Sequence, residues 1–78
     1  MYTVTAYKRE NGVLTYDSFG TSALVQERVY NMILEVMQGD KNNYMVITNV
    51  HDGKKIFIDR RNILAWVMDN ILKEVWYV

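Results

Sequence analysis

The sequence predicts an α+β domain in which antiparallel β-hairpins form a sheet and one long amphipathic helix packs on one face of it. Two turn signals, Asn11-Gly12 and Asp52-Gly53, each lie between stretches rich in β-branched and aromatic residues, which is typical of hairpins. Between the hairpins, apolar residues in the segment 21–39 recur at helical spacing. The predicted order is therefore β-β-α-β-β, and the 78 residues are expected to form a single domain, 1–78.

The first hairpin has a predicted register. Strands are predicted at Tyr2 to Lys8 and at Val13 to Phe19, joined by a type I′ turn at Asn11-Gly12. That turn places Tyr7 opposite Tyr16. Because strand residues alternate between the two faces, one face is expected to meet the helix and carries Val4, Ala6, Val13 and Phe19. The other face carries Thr3, Thr5, Tyr7, Arg9, Leu14, Tyr16 and Ser18.

This second face is a candidate contact surface for another protein. Its candidate residues are Tyr7, Tyr16 and Arg9, and both residue types are enriched at protein interfaces. The alternative is that the two tyrosines form a cross-strand pair that stabilises the sheet by roughly 0.2–1 kcal/mol and has no binding role.

The predicted helix spans Thr21 to Gly39. Thr21 or Ser22 is expected to cap its N-terminus with a hydroxyl group. Gly39 is expected to end it in the left-handed conformation that glycine adopts without steric cost. The helical spacing is carried by apolar residues on one side, namely Val25, Val29, Met32, Ile33, Val36 and Met37.

The apolar arc of this helix covers about half of its circumference, which exceeds the stripe of about 100° that a helix needs to pack on one layer. Tyr30, Leu34 and Met37 are the surplus residues. They are predicted to contact a second copy of the chain or another protein. The alternative is that the C-terminal segment folds over them.

The second hairpin is predicted from Tyr44 to Val50 and from Lys54 to Asp59. A two-residue turn at Asp52-Gly53 would place Ile47 opposite Ile58. Both faces of this hairpin are apolar, so its strands are expected to be central in the sheet or covered on both sides.

The C-terminal segment has two interpretations. It is predicted as two further strands, at 63–68 and 71–78, because of its Val, Ile, Trp and Tyr content and the strand-like pattern at its end. The alternative is a helix, because several of its apolar residues also share one helical face.

Composition and charge narrow the classes of function. Nine basic residues balance nine acidic ones, so the chain lacks the overall basic excess of most DNA-binding domains. There is no cysteine, which excludes disulfides, thiolate metal sites and a cysteine nucleophile, and which fits a cytoplasmic protein better than a secreted one.

His51 has no identifiable catalytic or metal-binding partner. The longest apolar run, Ile63 to Met68, is too short for a membrane span. No catalytic residue, metal or cofactor is predicted.

A basic cluster suggests a second kind of partner. Its four members are Lys54, Lys55, Arg60 and Arg61, and several aromatic residues lie near them in the sequence. Cations combined with aromatic side chains are typical of nucleic-acid-binding surfaces. The alternative is that these charges keep an exposed strand edge soluble.

The sequence therefore predicts a non-enzymatic interaction protein that dimerises, or that binds and inhibits another protein. A nucleic-acid-binding regulator that uses the basic cluster is the alternative. Free-standing domains of this size are often accessory proteins of bacteria or their phages, and this expectation rests on size alone.

Overall fold

The computed structural model describes residues 1–73. Four strands form one antiparallel sheet in the order β2-β1-β3-β4. Two helices complete the fold, and the second continues as one turn of π-helix at Met68–Leu72. The α+β class and the order β-β-α-β-β are confirmed. The elements are β1 Tyr2–Glu10, β2 Val13–Thr21, α1 Glu27–Gln38, β3 Tyr44–Asn49, β4 Lys55–Ile58 and α2 Ile63–Val67.

The first hairpin has the predicted register. Asn11 and Gly12 have φ angles of 53° and 78°, so both turn residues have the positive φ that a type I′ turn requires. Tyr7 lies opposite Tyr16. Both strands are two residues longer than predicted, because pairing continues up to the turn and back to Thr21.

The predicted start of the helix is wrong. Thr21 is the last residue of β2, and α1 begins at Glu27 with Gln26 in the N-cap position. The Thr21 hydroxyl does not cap the helix: its Oγ1 accepts hydrogen bonds from the Ala23 amide, at 3.1 Å, and from the Gln26 Nε2, at 2.6 Å. These bonds hold the chain in a non-helical connection, which explains why α1 starts later than the apolar periodicity indicates.

Gly39 ends the helix for a different reason from the one predicted. Its φ and ψ angles are −88° and −155°, so it is extended and not left-handed. Its amide donates a hydrogen bond of 3.0 Å to the Glu35 carbonyl. A Cβ atom at this position would collide with that carbonyl and with the Asn43 side chain. The position therefore requires glycine because of a close approach.

The second hairpin has a different register from the predicted one. Ile47 lies opposite Ile56, whereas the sequence predicted Ile58. The Asn49 amide donates a hydrogen bond of 2.8 Å to the Lys54 carbonyl, so the loop between them has four residues and not two. Because the shift is two residues, every side chain remains on its predicted face.

The prediction of C-terminal strands is wrong for the residues that the structure describes. The segment 63–68 is helical, as in the alternative interpretation, and so is the part of 71–78 up to residue 73; residues 74–78 lie outside the described part of the chain. Ile63, Trp66 and Ile71 are buried, and their spacing matches a helix that packs one side on the core.

A single core lies between the helices and one face of the sheet. Strand β3 lies between β1 and β4 and is therefore central, as expected, whereas β4 is an edge strand. Within residues 1–73 no element covers the other face of the second hairpin, where Phe57 is 63% exposed, so the alternative of burial on both sides is wrong. The buried hydrophobic residues are Val4, Ala6, Val29, Met32, Ile33, Val36, Met45, Ile47, Ile58, Ile63, Trp66 and Ile71.

Candidate functional site

The sheet face opposite the core, called the open face below, is the candidate functional site. Its residues alternate along each strand with the residues on the helix side, which in β1, β3 and β4 include the buried core residues. It combines the predicted polar face of the first hairpin with the outer face of the second. Its members are Thr3, Thr5, Tyr7, Arg9, Leu14, Tyr16, Ser18, Tyr44, Val46, Thr48, Lys55 and Phe57.

Three tyrosines form a row across the open face. Tyr7 lies on the central strand β1, opposite Tyr16 of β2 and Tyr44 of β3. The rings of Tyr7 and Tyr44 are stacked, with centroids 4.7 Å apart and an interplanar angle of 15°. The rings of Tyr7 and Tyr16 are 5.8 Å apart and tilted by 36°. Tyr16 is 71% exposed, so this row of rings is open to a partner at its outer end.

A second row lies beside the tyrosines. Val46 of β3 lies opposite the exposed Phe57 of β4. At the other end of this second row, the hydroxyls of Thr5 on β1 and Ser18 on β2 are 2.9 Å apart and share a hydrogen bond. This second row therefore presents apolar side chains towards β4 and small hydroxyl groups towards β2.

Charge is unevenly distributed between the two faces of the sheet. The strands place Arg9 and Lys55 on the open face, and they place their two acidic residues, Glu10 and Asp17, on the helix side. Asp17 accepts hydrogen bonds from Arg28 of α1 at 3.0 and 3.2 Å. A chain with no net charge thus presents a positively charged open face.

A pocket of about 650 Å³ adjoins the open face at the end of β4. Its walls include the aromatic rings of Tyr44 and Phe57 and the cationic residues Lys41, Arg60 and Arg61. The pocket is open to solvent. It is the place where the structure brings part of the predicted basic cluster next to aromatic residues.

Two arginines at this pocket have hydrogen-bond partners within the chain. Arg60 donates a hydrogen bond of 2.7 Å to the Gly39 carbonyl. Arg61 donates to the Asp59 carboxylate at 2.8 and 3.1 Å, and this hydrogen bonding holds the pKa of Asp59 below its ordinary value. The same pair raises the pKa of Arg61. Because the acid offsets one of the cations, the pocket is less basic than its residue types suggest.

The structure separates the four residues of the predicted basic cluster. Lys54 and Lys55 lie at the start of β4, whereas Arg60 and Arg61 follow its end. Lys55 begins β4 and Ile58 ends it, so the two pairs lie at opposite ends of a strand that is roughly 10 Å long, at about 3.3 Å per residue. Lys55 lies on the open face, whereas Lys54 lines a small pocket on the helix side. The cluster is therefore not one continuous patch.

The predicted helix surface is separate from the open face. Tyr30 is half-buried and packs against the core, while Leu34 and Met37 are exposed on α1. Leu64 and Met68, which sequence analysis did not single out, are also exposed. The helices lie on the opposite side of the sheet from Tyr7 and Tyr16, so these candidates belong to two different surfaces.

His51 lies in the exposed loop of the second hairpin, where its amide donates a hydrogen bond of 2.9 Å to the Asn49 Oδ1. Within residues 1–73, no group of three or more His, Cys, Asp or Glu side chains is arranged to hold a metal ion. No helix in that range is long and apolar enough to cross a membrane.

Two kinds of residue at or near the site are not predictable from the sequence. Tyr44 and Phe57 reach the tyrosine face only because β3 pairs with β1 and with β4. Asn43 precedes β3, and its side chain is buried and bonded to two other elements. No local sequence pattern identifies such a residue.

Comparison with known proteins gives no relative from which a function can be transferred. No protein-family model, curated protein or solved structure matches the chain.

Proposed function

We propose that this protein is a non-enzymatic interaction module that binds another protein through the open face. The observation that carries the proposal is the tyrosine row of Tyr16, Tyr7 and Tyr44, which lies beside the exposed Phe57 on an uncovered sheet face. Aromatic residues and arginine are the types most enriched in the buried centres of protein interfaces. Binding of this kind would occlude the partner's surface, which is the basis of an inhibitory role.

The charge distribution indicates the chemistry of the partner. Arg9 and Lys55 border the aromatic residues, and neither Glu10 nor Asp17 lies on this face. A partner surface that carries acidic residues around an apolar centre would be complementary to it. We therefore assign the open face to a protein partner with an acidic rim.

The geometry of the tyrosines favours a protein over a nucleic acid. The ring of Tyr7 is flanked by Tyr16 and stacked on Tyr44, so its faces are occupied by neighbouring rings. Single-stranded nucleic acids bind aromatic residues by stacking bases on free ring faces. At Tyr7, the centre of the row, the ring edge and the phenolic hydroxyl remain for contacts, and these suit hydrogen bonding and packing at a protein interface.

The pocket that contains Arg60 and Arg61 supports the second candidate function, a nucleic-acid-binding regulator. Cations and the rings of Tyr44 and Phe57 meet there, as they do where phosphates and bases are bound. Titration of fluorescent single-stranded DNA and RNA at two salt concentrations separates the candidates. Affinity that falls steeply with salt would support the nucleic-acid candidate and contradict the protein one.

A matched pair of double variants tests the protein-binding proposal. Arg9→Glu with Phe57→Ser changes the open face, and Leu64→Ser with Lys73→Glu makes the same kinds of change on the exposed side of the helices. Phe57 and Leu64 are 63% and 61% exposed, so both pairs should fold normally, as circular dichroism would verify. Each tagged protein is then used to capture partners from lysate.

We expect the wild type and the helix-side variant to retain the same partner and the open-face variant to lose it. Against the purified partner, the dissociation constant of the open-face variant should be at least tenfold higher. Equal capture by all three proteins would contradict the proposal. So would a partner that is lost only by the helix-side variant, because the binding surface would then include the exposed residues of the helices.

A further inference from the structure

Strand β2 forms one edge of the sheet, and within residues 1–73 it pairs only with β1. In a hairpin with a two-residue turn, the pair Glu10–Val13 that flanks the turn exchanges main-chain hydrogen bonds, and every second pair after it does the same. The intervening residues of β2 direct their main-chain groups away from β1. These residues are Leu14, Tyr16, Ser18 and Gly20.

The hydrogen bonding of β1 agrees with this alternation. Arg9, the partner of Leu14, donates its amide to the Asn43 Oδ1 at 2.9 Å, on the side of β3. Its amide therefore points away from β2, as expected for a pair that exchanges no main-chain hydrogen bonds. In the part of the chain that the structure describes, the free edge of β2 consequently presents a regular series of N–H and C=O groups without a main-chain partner.

The two edges of the sheet differ in their protection against strand pairing. Strand β4 has only four residues and is flanked by Lys54 and by the pair Arg60 and Arg61. Short length and flanking cations are common means of preventing association at an edge. Strand β2 has nine residues without lysine, arginine or proline, and its one charged residue, Asp17, is bound by Arg28. Such an edge is a template for another strand.

We infer that two copies of this chain pair through their β2 edges, antiparallel and around a two-fold axis at Tyr16, to form one continuous sheet of eight strands. In this register Leu14 pairs with Ser18 of the second copy, and about six main-chain hydrogen bonds join the copies. Val13 lies opposite Phe19, and Thr15 lies opposite Asp17.

The neighbouring registers are less favourable. A two-fold axis at Asp17 places the two carboxylates directly opposite each other, which is destabilising. A two-fold axis at Ser18 places the aromatic ring of Phe19 opposite the Asp17 carboxylate. The register centred on Tyr16 avoids both conflicts and places two apolar residues, Val13 and Phe19, together on each side of the axis.

A two-fold axis perpendicular to the sheet keeps both open faces on the same side. The tyrosine row of one copy then continues into the row of the other through the pair of Tyr16 rings. This inference uses the main-chain edge of β2 and does not depend on the proposed partner of the open face, so either can fail without the other.

Light scattering across a range of concentrations, combined with amide hydrogen exchange, tests the dimer. We expect a mass of twice 9.2 kDa at high concentration. The amides of Tyr16 and Ser18 should exchange at least tenfold more slowly at high protein concentration, where the dimer forms, than in dilute solution. The amides of Thr15 and Asp17, which bond to β1, should be protected under both conditions and provide an internal control. A monomer at every concentration would overturn the inference.

Ser18→Pro removes one outward-directed amide, and proline is tolerated on the solvent side of an edge strand. Ser18→Ala is the matched control, because it loses the same hydroxyl bond to Thr5 and retains the amide. We expect Ser18→Pro to be monomeric and Ser18→Ala to be dimeric, with equal far-ultraviolet circular dichroism. If both remained dimeric, the pairing would not involve this edge.

Cysteine cross-linking tests the register without depending on the proline variant. The chain contains no cysteine, so Thr15→Cys and Asp17→Cys each introduce a single thiol. Across the proposed interface these positions form a pair without main-chain hydrogen bonds, where β-carbons are about 4.5–5.5 Å apart and a disulfide needs only a small adjustment. We expect oxidation to cross-link a mixture of the two variants and not Thr15→Cys alone. Cross-linking of Thr15→Cys with itself, or no cross-link in the mixture, would overturn the register.

Discussion

At the scale of single residues, Asn43 joins three elements of the fold. Its buried side chain accepts a hydrogen bond from the Arg9 amide of β1 at 2.9 Å and donates one of 3.3 Å to the Glu35 carbonyl in the last turn of α1. Asn43 itself immediately precedes β3. A small polar side chain thus pairs the Arg9 amide, and it gives a second hydrogen bond to the Glu35 carbonyl, which also accepts one from the Gly39 amide.

Replacing this residue provides the first prediction. Asn43→Ala should lower the free energy of unfolding by about 1–3 kcal/mol, because it leaves the Arg9 amide without a partner in a partly buried site and removes one of the two hydrogen bonds that the Glu35 carbonyl accepts. Asn42→Ala, at the exposed neighbouring position, should change it by less than about 0.5 kcal/mol. Urea denaturation of both variants measures the difference, and equal stabilities would show that water replaces the side chain.

At the scale of elements, the sequence predicted the register of one hairpin and not of the other. In the first turn, Asn11 and Gly12 adopt the required φ angles without side-chain assistance. In the second, the Asn49 and Asp52 side chains accept hydrogen bonds from the amides of His51 and Lys54 and stabilise a longer loop. Such local side-chain bonds compete with the two-residue turn that Asp52-Gly53 alone indicates.

The C-terminal segment shows a second limit of prediction. Its β-branched and aromatic residues favour a strand by composition, but packing decides the outcome. The Asp59 amide donates to the Asn62 Oδ1 at 2.8 Å, and the Ile63 amide donates to the Asp59 carbonyl at 3.0 Å, so the first turn before α2 is stabilised locally. The helix can then bury Trp66 on the core, which compensates for weak helix propensity.

The second prediction distinguishes these two structures of the C-terminal segment. Trp66 is 8% exposed and Leu64 is 61% exposed, so Trp66→Ala should lower the free energy of unfolding by about 3–5 kcal/mol and Leu64→Ala by less than about 1 kcal/mol. In a strand, positions 64 and 66 would lie on the same face and their substitutions would have comparable effects. Thermal and urea denaturation measure both variants, and similar losses would contradict the helix.

At the scale of the whole molecule, the candidate site depends on strand order. Tyr7 and Tyr16 were predictable as a pair from the hairpin turn alone. Tyr44 joins them only because β3 pairs with β1, across a helix and a loop that sequence patterns cannot position. The separation of the basic cluster is by contrast a local effect, since β4 begins at Lys55 and ends before Arg60.

The last prediction concerns the stability of the whole assembly. A domain of 78 residues buries only a modest part of its surface, and association that occurs solely in the folded state adds stability in proportion to the logarithm of concentration. If the β2 edges pair, the melting temperature should rise by roughly 3–5 °C for each tenfold increase in protein concentration within the range where the dimer is populated. Ser18→Pro should melt at a temperature independent of concentration, whereas Ser18→Ala should behave like the wild type. Scanning calorimetry over a hundredfold range of concentration makes the comparison, and a constant wild-type melting temperature would show that the chain folds and functions as a monomer.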